Sequence, residues 1–499
     1  MMGHQAPYQH KFFVKAFNLD KRIRPDHLLR KILEKIEFDF IYQEVKETYG
    51  ANGNVSVPPP VILKMMLLLV LYNVRSEREL MLTIPERLDW MWFLGYDLHD
   101  DVPDHSVLSK ARSRWGVEAF KRFFERIVWQ CVEAGIVDGK KLFVDASLID
   151  ADASNNSVID KERVQKEISK SYHCLEDRLD DLEVSKPTPA NSRFVSTTDP
   201  DASVTRHSVG KSKLRYKTHR VVDPKHEVIT ATQVTPGAVN EGELLAEMIE
   251  RHESNTQSKV KTAVADSRYG SIENFLLCSE ISIKAHMPSL EERQRGSGRQ
   301  KGIFPKEAFT YDSSRDLFVC PAGEELRRRN YSKTRRHYEY KAPQGACAQC
   351  PLKSNCTAAK DGRTLKRHER QEDLDRMLRE AGTPRSRADL KTRQHLSERS
   401  FARSVRYGYK RARWRRLWRV RIQDFLIATV QNILVLVRKA VSQLSKNEGT
   451  RRRNRGPSKP RLFLYRLLRL ARPNIRVFFS LTGAFIRSVD RFEHCVRFP

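Results

Sequence analysis

The chain has 499 residues, 39% hydrophobic and 31% charged, and a net charge of +29 from 91 Lys and Arg against 62 Asp and Glu. This length argues for more than one domain, the charged fraction excludes a membrane-embedded protein, and 9% aromatic content excludes a wholly disordered one. An excess of positive charge favours a polyanion as partner, nucleic acid before an anionic membrane.

The excess is local. From Arg385 to Pro499 there are 30 basic and 6 acidic residues, so +24 of the +29 lies in the C-terminal part of the chain. The first ten residues have no apolar core, and the apolar runs Val61–Leu71 and Phe425–Val437 are too short to span a bilayer. The expectation is a cytoplasmic, nucleoid-associated protein without a membrane partner, its eight cysteines reduced.

Residues 11–135 read as helical. Pro58-Pro59-Pro60 opens an apolar helix, Ser76-Glu77-Arg78-Glu79 starts a second, and Pro103-Asp104-His105-Ser106 caps a third, followed by an amphipathic stretch from Val117 to Ala134. Such a series suits either a helix-turn-helix reader, with Ser106, Lys110, Arg112 and Arg114 facing a DNA groove, or a bundle that only packs or dimerises. At Lys141 the period changes, and Leu142–Ile149 is a strand-like run interrupted by one carboxylate, Asp145. A charged helical stretch, Asp160–Glu183, and a polar loop, Lys186–Ser208, follow.

Leu214–Val222 and Glu227–Val234 form a predicted hairpin turned at Asp223-Pro224-Lys225-His226. Next come a helix over Glu241–His252, a strand over Val260–Ala265 ending in Asp266, a helix over Ile272–Ser279 and a strand over Ile281–Met287. This order predicts a mixed α/β sheet of about five strands. The polar stretch Glu291–Gly302 leads into an insertion of roughly 90 residues, by the same reading of pattern. Helical periodicity resumes near Leu396 and runs to about Val437, and Arg451–Pro457 reads as a linker into the last residues.

Asp145 and Asp266 lie within or directly after apolar strands, where a carboxylate is costly to desolvate unless paired, hydrogen-bonded or bound to a cation. Each is a strand or helix cap, or a ligand at a sheet-end crevice. Glu398 stands with Asp389 as the only acidic residues between Arg385 and Arg421, among 14 Lys and Arg. It is a salt-bridge partner, or a ligand for a cation held against phosphate. Three such carboxylates suit two hard divalent cations about 3.5–4 Å apart, acting on a phosphodiester.

These residues resemble the bacterial insertion-sequence DDE transposases with an InsH-type N-terminal domain. The resemblance covers about Phe12 to Val437. It rests on Pro58–Arg78, Val102–Ser106, Phe143-Val144-Asp145-Ala146-Ser147, Thr235–Asn240, Ala265-Asp266-Ser267-Arg268-Tyr269-Gly270-Ser271 and Glu398-Arg399-Ser400-Phe401-Ala402, in the family's order. It implies a ribonuclease H-like mixed five-stranded sheet with flanking helices, preceded by an all-α domain and interrupted by a cysteine-containing insertion. Asp145, Asp266 and Glu398 would be the catalytic triad, holding two Mg²⁺ or Mn²⁺ ions.

The implied function is binding of terminal inverted repeats and metal-dependent cleavage and strand transfer of double-stranded DNA, including a target duplex, by a homodimer. The expected organisation is 1–138 helical DNA-binding or dimerisation domain, 139–290 first catalytic part, 291–385 insertion, 386–440 helical part carrying Glu398, and 441–499 basic tail. The chain departs from the family at the Tyr seven and the Arg four residues before the Glu, and at the Lys seven after it, where Lys391, Gln394 and Val405 stand. Arg393 is adjacent to the Arg position, and Lys410 or Arg411 could replace the missing Lys. The alternatives are a structure-specific metal-dependent nuclease, which cuts without joining, and a non-catalytic zinc-containing DNA-binding regulator.

Cys320, Cys347, Cys350 and Cys356, four of the eight cysteines within 37 residues, have the spacing of a tetrahedral structural zinc site. A redox-active or incidental CxxC is the other reading. Finally, Tyr407–Arg421 interleaves aromatics with arginine. Trp414 and Trp418, four apart, are expected to pack, while Arg411, Arg413, Arg415 and Arg416, with Arg399 and Lys410, bind DNA phosphate.

Overall fold

A computed structural model describes residues 18–50, 55–160, 191, 194–206, 211–290, 302–359 and 361–454, with 440–454 described by backbone alone. The expected helix Asp160–Glu183, most of the loop beginning at Lys186, most of the polar stretch Glu291–Gly302 and the chain after Asn454 lie outside these residues. Contacts divide the chain into the units Met1–Val437 and Arg438–Pro499.

Seven helices open the described chain: α1 Leu19–Arg22, α2 Leu28–Lys35, α3 Phe40–Val45, α4 Pro59–Leu71, α5 Glu77–Thr83, α6 Leu88–Leu94 and α7 Ser106–Glu133. Their starts follow the predicted signals. Proline occupies the first position of α4, where its missing N–H costs nothing. The Ser76 hydroxyl accepts from Glu79 N at 3.1 Å to begin α5, and Asp104 accepts from Ser106 N at 2.8 Å to begin α7. Gly116 (φ 66°, ψ −168°) breaks α7 into the two helices that the sequence suggested, a conformation open to glycine.

The central sheet has six strands: β1 Lys141–Asp150, β4 Ser203–Thr205, β5 Lys213–Val222, β6 Ile229–Pro236, β7 Thr262–Val264 and β8 Lys284–His286. The order β4-β5-β1-β7-β8 is completed by β6, which shares the outer edge of β5 with β4. β5 runs antiparallel to β1 and β6; β7 and β8 run parallel to β1. The sixth strand, and the small ladder β2 Val158–Asp160 with β3 Phe194–Ser196, come partly from the segment read as a loop. The predicted hairpin is β5–β6.

One face of the sheet, with Leu142, Val144, Ala263 and Ala265, packs on α8 Leu245–Thr256 and α9 Ile272–Glu280, joined by Leu374 and Met377 of α11 Gln371–Ala381. The other carries Phe143 and Val264, which pack on Leu396 of α12 Pro384–Val405. Thr383 caps α12 by accepting from Ser386 N, with Pro384 in the first turn. The helical run predicted from Leu396 to Val437 is interrupted: α12 stops at Val405 and the next helix, α13 Leu417–Asn454, begins after an irregular link. Helix α13 also takes in Arg451–Asn454, the first part of the expected linker.

The stretch Leu417–Lys439 is long and apolar enough to cross a bilayer, but most of it is buried inside the protein. Its apolar side chains complete a single core with the N-terminal helices and the sheet, as in the contact of Phe425 with Phe124 at 5.7 Å between ring centres. At its centre, Arg220 of β5 and Asp424 of α13, 1% and 2% exposed, pair at 3.2 Å.

The insertion folds around a separate small core, a five-stranded antiparallel sheet in the order β13-β12-β11-β10-β9. Its strands are β9 Thr310–Asp312, β10 Leu317–Val319, β11 Glu325–Ser332, β12 His337–Lys341 and β13 Thr364–His368. A short helix, α10 Lys353–Cys356, precedes β13.

Candidate active site and nucleic-acid interface

The parallel pairing of β1 with β7 sets Phe143 opposite Val264. Two residues further along each chain stand Asp145 and Asp266. β7 ends at Val264 while β1 runs on to Asp150, so Asp145, within β1, and Asp266, just past β7, stand beside one another where the parallel pairing stops. They are electrostatic neighbours: Asp266 acts with burial to push the Asp145 carboxyl above the ordinary carboxylate range. Burial is the larger cause; Arg393, the Ala146 N–H and the Ser397 hydroxyl oppose it.

Arg393 and Ser397 come from α12, which packs on the sheet face that carries Phe143 and Val264. Arg393 Nη1 is 2.8 Å from Asp145 Oδ2, a charge contact rather than an aligned hydrogen bond. Asp266 accepts from the Arg268 N–H at 2.9 Å. Glu398 follows Ser397 on the same helix with its side chain exposed, accepting from Gln394 Nε2 at 3.1 Å. The structure therefore brings Asp145 and Asp266 together and places Glu398 on the helix that covers them. Among the described residues, no three Asp, Glu, His or Cys side chains are gathered closely enough to hold an ion. Two carboxylates that repel one another and are short of solvent have the donor chemistry of a hard divalent cation site.

Beside Asp266 opens a cleft of ≈640 Å³, walled by Arg215, Lys217, Glu241, Arg268, Phe401 and Lys410 among others. Lys217 and Glu241 are buried and pair at 3.3 Å, and Arg268 pairs with the same carboxylate at 2.5 Å. Burial lowers the Lys217 ammonium, and Glu241 opposes that shift. Arg215 and Lys213 share Asp150, each at 2.8 Å. The cleft is amphoteric, and its cations are held at fixed positions by the carboxylates between them.

The sequence of residues 17–114 matches the profile of a transposase domain (DUF772), and that of residues 319–437 matches the profile of a transposase DDE domain. Both matched segments are transposase domains, the second of the DDE type, and they support an insertion-sequence DDE transposase. The second match takes in Glu398; Asp145 and Asp266 fall between the two. No curated protein matches the transposase. A cryo-EM structure of piggyBac transposase, in a synaptic complex with hairpin DNA, is similar over 90% of this chain and 84% of that one, at 10% identity and a TM-score of 0.26.

Several expected DNA contacts of the transposase are corrected. Arg112, expected in a groove, is 3% exposed, paired with Glu77 and 4.0 Å over the Trp414 ring, where it ties α7 to the link before α13. Arg114, expected beside it, is exposed and lies over the Tyr49 ring, while Ser106 begins α7 and Lys110 is exposed. Residues 406–416 are not helical: Asp150 N donates to Lys410 O at 3.1 Å and Ala412 N to Asp150 O at 2.8 Å, so this link extends the end of β1. Within it Arg413 is half-buried and donates to Val74 O and Asn73, a structural role that removes it from the expected phosphate set. Arg416 takes a left-handed backbone (φ 78°) and gives its N–H to Asp199.

Arg411 and Arg415 share Asp152 and remain exposed, Lys410 reaches the cleft, and Arg399 pairs with Glu227 at 2.9 Å. Trp414 and Trp418 pack against the core as predicted. Lys217, Glu241 and Arg268 escaped the sequence reading, because a carboxylate at a helix start and a lysine in a strand have ordinary solvated explanations.

In the insertion, Cys320, Cys347, Cys350 and Cys356 line one cavity of ≈30 Å³. Burial raises the Cys356 thiol, and the other three cysteines add to that shift. All six described cysteines are free. Four thiols on one cavity have the donor set of zinc, although their sulfurs are not gathered into a ligand cluster.

Proposed function

We propose that this transposase recognises the terminal inverted repeats of its element as a homodimer, cuts there, and joins the freed 3′-hydroxyl to a target duplex. The catalytic part is proposed to be ribonuclease H-like, formed by 139–290 and 386–440, with 1–138 serving DNA binding or dimerisation, 291–385 inserted and 441–499 a basic tail. The observation that carries the reading is the side-by-side placement of Asp145 and Asp266 where the parallel pairing of β1 with β7 stops, beside the helix that bears Glu398.

Asp145, Asp266 and Glu398 would hold two Mg²⁺ or Mn²⁺ ions, which when bound supply an activated nucleophile and a stabilised leaving oxygen. The chain's own residues do the rest. Arg393 balances the Asp145 charge and fixes its direction. Lys217 and Arg268, pinned by Glu241, hold positive charge at the mouth of the cleft where a phosphodiester would lie. Lys410, Arg411, Arg415 and Arg399 extend that charge along the DNA backbone. The insertion's four thiols would take a structural zinc. Free cysteines and a DNA substrate support a site of action on the nucleoid.

The test is Asp145→Asn. It is expected to abolish cleavage of a duplex carrying an element end in Mg²⁺ while leaving binding within about twofold. Retained metal-dependent cleavage would overturn the triad, and cutting without a joined product would overturn strand transfer.

A further inference from the structure

The insertion carries a basic feature remote in sequence from the carboxylates. Strand β11 presents Arg327, Arg328 and Arg329 in succession, and the turn 333–336 to β12 adds Lys333, Arg335 and Arg336; all six are exposed. The pairing of β11 with β12 shifts register between Arg328 and Asn330. This irregularity sets Arg329 apart from the regular ladder, as bulges re-aim side chains.

Some of this charge is neutralised within the sheet. Arg327 pairs with Glu325 at 3.1 Å, Arg328 with Asp316 at 3.0 Å, and Arg336 with Glu369. Arg329, Lys333, Arg335 and, on the neighbouring strand, Lys366 make no ion pair among the described residues. Next to them Tyr331, 42% exposed, packs against Tyr338 at 4.8 Å between ring centres, the rings tilted by 40°. The two strands are flanked by β10 and β13, so the sheet presents a broad face rather than a groove-width ribbon, and its unpaired cations match phosphates spaced along a duplex.

We propose that the β11–β12 hairpin is a second DNA-contact surface, gripping the backbone of the duplex away from the scissile bond. This rests on the transposase reading and deepens it: the catalytic unit would hold the reacting end while the hairpin fixes the position of the flank. Duplex DNA is favoured over an acidic protein because the free cations lie on one hairpin and its neighbouring strand, beside an aromatic pair, rather than around an apolar patch.

The experiment compares the full-length protein with a variant in which Arg329, Lys333, Arg335 and Lys366 are all alanine. Binding to a labelled duplex with an element end and a long flank is measured from 50 to 300 mM KCl. Each lost phosphate contact lowers the slope of log K against log salt by about 0.9, so a fall of about 2 to 4 is expected, with at least tenfold weaker binding at the lower salt. Cleavage at saturating DNA is expected to persist, and substitution of the two arginines by lysine to retain most of the slope. Footprinting should show protection lost on the flank and kept at the cleavage site.

An unchanged slope and footprint in a folded alanine variant overturns the proposal. So does a dependence on the same four residues seen only with single-stranded RNA or anionic vesicles. If the wild-type protein neither binds nor cuts DNA, the transposase reading fails; if it does both and the variant matches it, only the hairpin proposal fails.

Discussion

Replacing Asp424 by alanine should destabilise the first unit by about 3–5 kcal/mol, the range for breaking a buried ion pair from one side. The structure places the upper part of that range in reach. Asp424 accepts from Arg220 Nη2 at 3.2 Å and from Thr232 Oγ1 at 2.5 Å, and burial raises its carboxyl despite both partners. Without it, the Arg220 guanidinium stays enclosed, with Nε already unpartnered and only Ser400, Ser404 and the faces of Phe401 and Tyr409 around it. The assay is urea unfolding followed by tryptophan fluorescence, for Asp424→Ala, Arg220→Met and a double variant, Arg220→Met with Asp424→Leu. With both charges gone no ion is stranded, so the double variant should recover at least half of the loss. A loss below about 1 kcal/mol in Asp424→Ala, or additivity in the double variant, would refute the reasoning. Because Arg220 also binds Ser400 and Ser404 of α12, cleavage should fall in the alanine variant even below its unfolding midpoint.

Gly270→Ala should cost about 2 kcal/mol or more and reduce cleavage, because a Cβ at Gly270, in the loop that follows Asp266, would run into the carbonyl of Pro288 after β8; an unchanged melting temperature would show that the loop yields. Burial depresses His219 to about 3, and His252 moves in the same direction. The unfolded chain therefore binds protons that the native state refuses, and stability is present above about pH 6.5 and falls on acidification, by up to about 1.4 kcal/mol per pH unit for His219. His219→Gln should flatten the slope of urea midpoint between pH 6.5 and 5; an equal slope in the variant would exclude His219 as a source. Zinc removal should loosen the insertion: about one zinc per chain is expected in metal analysis, lost in Cys347→Ser together with protease resistance of 302–370, and a metal-free but equally resistant wild-type protein would remove zinc from the account.

Periodicity, caps and turn residues were enough for most elements. The starts of α4, α5 and α7, the β5–β6 hairpin and the strands that carry Asp145 and precede Asp266 are local decisions, made by proline, serine and aspartate at helix starts and by alternation in strands. A lone carboxylate in an apolar strand singled out both aspartates but left each as a cap or a ligand, and the resemblance to the transposases made them the candidate pair.

What only the tertiary structure decided is which charges remain available. Arg112 and Arg413 have the same local appearance as Arg411 and Arg415, yet the first two are enclosed by Trp414, Glu77 and Asn73 while the others stay exposed. Lys217 and Glu241 meet across segments separated in sequence, and Arg393 rather than Gln394 reaches Asp145 because of the face on which α12 meets the sheet. Patterns along a chain record the period of each element and the cost of burying each side chain; the pairing of charges depends on distances between elements, which no single element contains.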